Sequence, residues 1–161
     1  MKYLLSLVAF FAIMSCAVKS DSTYSQIKYK AGPCFGTCPM FEMTINPDRS
    51  AVIDAEHFTF EKGGLKDVQS REKEGVFRAT ISETKYAQLI SMMNDLNVKS
   101  LQSKYGDRSV TDMATSYLTV TYKDGTQKTI EDYGKNGTVK LKNLYQFIED
   151  LRFSQNWRKV D

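Results

Sequence analysis

Residues 116–133 alternate in a way that two paired strands satisfy. Leu118, Val120 and Tyr122 fall on one face of an extended chain, and Tyr117, Thr119 and Thr121 on the other. A period of two marks a half-buried strand. Asp124 and Gly125 follow as a favoured two-residue turn, and residues 126–133 return. Residues equidistant from such a turn oppose each other, which sets Tyr117 against Asp132.

The same period recurs at residues 25–30, through Ile27 and Tyr29, and at 40–45, through Phe41, Met43 and Ile45. Pro47 and Asp48 then signal a turn. Residues 51–60 read as a strand bent near His57, Gly63 and Gly64 open a polar loop, and 75–81 form a further strand. Ser82 is a credible cap for a helix whose apolar stripe is Tyr86, Leu89, Ile90, Met93 and Leu96. A second helix follows the break at residues 134–137, with Leu141, Leu144, Phe147, Ile148 and Leu151 as its stripe and Trp157 pinning the C-terminus. Strands and helices do not alternate regularly. The pattern predicts an α+β fold, with a mainly antiparallel sheet of about six strands and both amphipathic helices on one face.

The chain has 161 residues, 42% hydrophobic and 25% charged, and carries a net charge of +3. It is long enough for one domain with its own core. Its lysines are scattered among acids, which argues against nucleic acid as a partner. The N-terminus is different. Lys2 precedes an apolar run from Leu4 to Met14, broken only by Ser6. That run is about half the ~20 residues a spanning helix needs, so it reads as an export signal. Ile13, Met14, Ser15 and Cys16 resemble the lipobox of bacterial lipoproteins, in which the cysteine is acylated and becomes the mature N-terminus. The expected organisation is a signal peptide over 1–15, a lipidated terminus and tether over 16–24, and a single domain over 25–161. Lipid on Cys16 would attach the protein to the cell envelope, and Ala17 favours the outer membrane by analogy with lipoprotein sorting.

Cys34 and Cys38 lie four apart, with Pro33, Gly36 and Pro39 around them. Residues so spaced are ~13 Å apart in an extended chain, whereas a disulfide needs α-carbons within about 7 Å. The chain must therefore reverse, which Gly36 permits and the prolines favour. An exported pair reads as a structural disulfide. Thiol redox and metal binding are the competing readings. Redox pairs are usually separated by two residues and followed by a helix, and here a strand follows. The motif also resembles copper chaperones of the thioredoxin fold, which need a helix after it and a distant histidine. The only histidine is His57.

The run from Gly32 through Cys34, Phe35, Gly36, Cys38 and Pro39, with a strand and a Pro/Asp turn after it, resembles a bacterial domain of unknown function found in small exported lipoproteins. It is number 6438 among such domains. Thr111 and Asp112 before the hairpin, Asp132 and Tyr133 after it, and a closing helix with Trp157 belong to the same likeness, which extends over residues 27–157. The resemblance implies an exported location and brings no activity or catalytic residues with it.

No catalytic, phosphate-loop or metalloprotease motif occurs in the sequence. Asp107 and Asp112 lack the spacing of a calcium loop and read as turn caps. Asp112, Tyr117, Asp132 and Tyr133 gather at one end of the hairpin as a candidate binding patch. Neither a cofactor nor a metal is expected. The reading that results is a noncatalytic, lipid-anchored module for a protein or glycan partner in the envelope. A thiol oxidoreductase or metal handler using Cys34 and Cys38, or an inhibitor presenting its cysteine loop to an enzyme, is the alternative.

Overall fold

The computed structural model describes residues 22–61 and 73–160. Cys16, with the signal and most of the tether, lies outside them, as do Gly63 and Gly64. The elements are β1 (Tyr24–Ala31), β2 (Phe41–Ile45), β3 (Ser50–Ala55), β4 (Gly75–Thr80), α1 (Glu83–Leu96), a 3-10 turn (Val98–Ser100), β5 (Lys104–Tyr105), β6 (Thr115–Tyr122), β7 (Gln127–Tyr133), α2 (Val139–Ser154) and β8 (Arg158–Lys159). They form one sheet in the order β5-β7-β6-β1-β2-β3-β4-β8. Every pairing is antiparallel except β5 with β7. The fold is α+β, as the periodicities predict.

Alternation decides the two faces. Ile27, Tyr29, Phe41, Met43, Ile45, Ile53, Leu118, Val120 and Ile130 are buried on one face. Both helices pack there with their apolar stripes, and against each other. Ser82 caps α1 by accepting from the Lys85 amide, and Thr138 caps α2 by accepting from the Leu141 amide. The opposite face is polar. Lys28 pairs with Glu42 across β1 and β2 at 2.9 Å, and the hydroxyls of Thr119 and Thr129 meet at 3.0 Å. Trp157 donates from its indole nitrogen to the Leu151 carbonyl at 3.0 Å, which ties the chain after α2 back to the helix.

Three expectations are corrected. The third strand ends at Ala55, not Phe60, because Phe58 takes a positive φ of 55° that no strand tolerates. His57 lies just beyond it, exposed, with Nδ1 at 2.9 Å from Glu74. The hairpin turn has three loop residues instead of two. Gly125 donates to the Tyr122 carbonyl, Tyr122 donates to the Thr126 carbonyl, and Gly125 sits at φ 82°. That is a turn closed by a glycine bulge. Pairing therefore shifts by one residue, so Tyr117 opposes Glu131, and Asp132 opposes Ser116.

Candidate functional site

The cysteine loop reverses the chain between β1 and β2. Cys34 and Cys38 stand at disulfide-bonding distance, with α-carbons 5.7 Å apart. Gly36 has a φ of 135°, a conformation that residues with a side chain rarely adopt. The loop is moored at both ends. Gly32 donates to the Thr115 carbonyl at 2.8 Å, Phe35 donates to the Asp112 carbonyl at 3.3 Å, and Met40 donates to the His57 carbonyl at 2.7 Å. At its tip, Phe35 is 88% exposed. A moored loop thus holds an aromatic ring in solvent at the entrance of the sheet.

Beside the loop, the open face of β6 and β7 carries Tyr117, Glu131 and Tyr133. Arg108 pairs with Glu131, and its guanidinium lies 5.0 Å over the Tyr133 ring. The Tyr133 hydroxyl accepts from the Met113 amide at 3.2 Å, fixing the segment that leads from Asp112 into β6. Lys30, Gly32, Pro33, Thr115 and Tyr117 line a shallow depression of about 540 Å³ between this surface and the loop. Amphipathic rings, a paired cation and a depression make a surface suited to contacts with another molecule.

Of the predicted patch, Tyr117 and Tyr133 share this face, and Asp112 lies next to it at φ 68°. Asp132 does not join them. It is fully buried on the helix side, where its carboxylate accepts from the amides of Asn136 and Gly137 at 2.9 and 3.0 Å. Burial pushes its carboxyl up, partly offset by those two amides and by Lys135. Its work is to shape the turn into α2. Asp107 also serves a turn, accepting from the Ser109 amide at 2.8 Å. Arg108, Glu131 and Phe35 are additions to the predicted patch. Phe35 lies between the two cysteines of the motif, and Glu131 becomes visible once the hairpin loop is counted as three residues.

A second polar cluster lies inside the fold. The Tyr29 hydroxyl bonds to Ser116 Oγ at 2.9 Å and donates to Glu149 Oε1, which Lys135 also reaches. Burial, and then the Glu149 charge, push the Tyr29 phenol well up. Arg152 donates to the carbonyls of Glu149 and Thr59, at 2.8 and 2.7 Å, and lies 4.7 Å from the Phe41 ring. Tyr29 and Ser116 are fully buried, and Glu149 and Arg152 are each 7% exposed. The cluster fastens α2 to the sheet. Its signal in the sequence was the spacing of Tyr145, Glu149 and Arg152, which places them on one helical face next to the apolar stripe.

Among the described residues, no three His, Cys, Asp or Glu side chains group in a way that could hold a metal ion. Nor is any described helix long and apolar enough to cross a membrane. The model of the family "Domain of unknown function (DUF6438)" matches residues 25–152. The chain belongs to that family. The match begins within β1 and ends near the close of α2, so it takes in the cysteine loop, the hairpin and both helices. No curated protein matches the chain.

Proposed function

We propose that this protein is a noncatalytic binding module, lipid-anchored at the cell envelope through Cys16, which engages a partner with the cysteine loop and the adjoining face of β6 and β7. The observation that carries the reading is Phe35, 88% exposed at the tip of a loop fixed to β6 and to its lead-in segment. Exposing a large aromatic ring costs solvation, and a rigid aromatic loses little entropy on binding. The anchor rests on the lipobox-like residues 13–16, and the outer membrane is its proposed site. A thiol couple is the less favoured reading, because the chain runs from Cys38 into β2 and offers no helix to stabilise a thiolate.

Photo-crosslinking in intact cells tests the surface. A photoreactive residue at Phe35 should give a discrete partner adduct, and one at Val139, also exposed at 78%, should not. No adduct at position 35, or the same adducts at both positions, would overturn the reading. The anchor has its own test. Cys16→Ala should abolish the acyl mass and release the protein from membranes, and unchanged fractionation would refute lipidation.

A further inference from the structure

We propose that the groove along β3, β4 and β8, toward the opposite edge of the sheet from β6 and β7, binds a phosphate group borne on a small hydroxylated ligand. The groove has a volume of about 870 Å³, within the size range of small-molecule sites. Arg78 and Arg158 both line it and are cross-strand partners in the β4–β8 pairing. Directly opposed residues on antiparallel strands have α-carbons ~5 Å apart, and like charges so placed destabilise a sheet.

Nothing among the described residues relieves either arginine. Among the described residues, no side-chain hydrogen bond or ion pair engages Arg78 or Arg158. No carboxylate among them lines the groove. Asp54, the acid on the same face of β3, opposes Val76 and pairs with neither arginine. An anion would remove this repulsion. Guanidinium forks match the oxygens of phosphate bidentately, and two of them balance the charge of a phosphate monoester dianion. The remaining polar lining is neutral. Thr80, Ser82 and Asn156 supply donors and acceptors for hydroxyl groups. This groove shares no residue with the loop surface proposed above, so either can fail alone.

The test titrates glucose 1-phosphate, inorganic phosphate and glucose against the full chain, following the Nε–H resonances of arginine. Both phosphates should shift Arg78 and Arg158, and glucose alone should not. Arg78→Gln and Arg158→Gln should each weaken binding at least tenfold while circular dichroism stays unchanged. Lys142→Gln, which removes the same charge from an exposed position on α2, should leave it intact. Phosphatidylglycerol vesicles separate the sources. Preference for vesicles at equal phosphate, lost in both arginine variants, assigns a lipid headgroup, and no such preference assigns a soluble ligand. Equal weakening by Lys142→Gln, equal shifts with chloride, or unaltered binding in both arginine variants would overturn the proposal.

Discussion

One extra residue in a turn decides what Asp132 does. With a two-residue loop its carboxylate would face solvent opposite Tyr117. With three it faces the helices and holds two amides at the entrance to α2. Asp132→Ala should leave both donors unmet and cost about 1–3 kcal/mol, measured by urea denaturation. The pH dependence follows from the raised carboxyl. The folded state holds this proton more tightly than the unfolded chain. Its contribution is therefore full below the ordinary carboxylate value and is lost as pH rises through the folded one. The stability of the wild type relative to Asp132→Asn should accordingly grow as pH falls from neutrality toward 4. A pH-independent difference would show that Asp132 does not titrate in this way. The sequence did not reveal the shift because Asp-Gly suits both turn lengths, and a one-residue slip moves every side chain of a strand to the other face.

At the scale of elements, both helices were legible from their stripes, the first also from its cap, and the long strands from their alternation. The limits lay at α2 and at the edges. Phe147 was expected in the stripe and is only partly buried, whereas Tyr145, Glu149 and Arg152 are buried. A periodic reading selects apolar residues, so charged residues that insert and find partners outside the stripe, Glu149 with Tyr29 and Lys135 and Arg152 with two carbonyls, escape it. The helix should depend on Glu149. Glu149→Ala should cost about 1–3 kcal/mol, since Tyr29 and Lys135 both lose an acceptor in the interior. Lys135→Ala should cost less, because the lysine side chain is 28% exposed and water can replace it. Denaturation midpoints of the two variants give the comparison, and equal losses would place the weight on the ion pair instead of on the buried Tyr29–Glu149 contact. β5 and β8 went unseen for a simpler reason. Two residues carry no period.

Across the whole molecule, the cysteine pair contributes locally. Closing a loop of five residues stabilises by about 2 kcal/mol in the chain-entropy description. Replacing both Cys34 and Cys38 by serine should lower stability by about that amount and leave the fold intact by circular dichroism. A collapse of the domain would mean that the bridge organises more than its own loop.

The two shortest strands have a consequence for life at high density. A long bare edge invites a neighbour to add its own strand, and molecules crowded on one surface meet edge to edge often. Here the sheet closes with Lys104–Tyr105 on one side and Arg158–Lys159 on the other, too short to template a partner and rich in positive charge. Removing residues 158–161 should strip the cover from β4 and leave its six residues open. The full chain should sediment as one species across concentrations, and the truncated chain should polymerise as concentration rises. A few residues at the end of the chain then act as a guard against filaments.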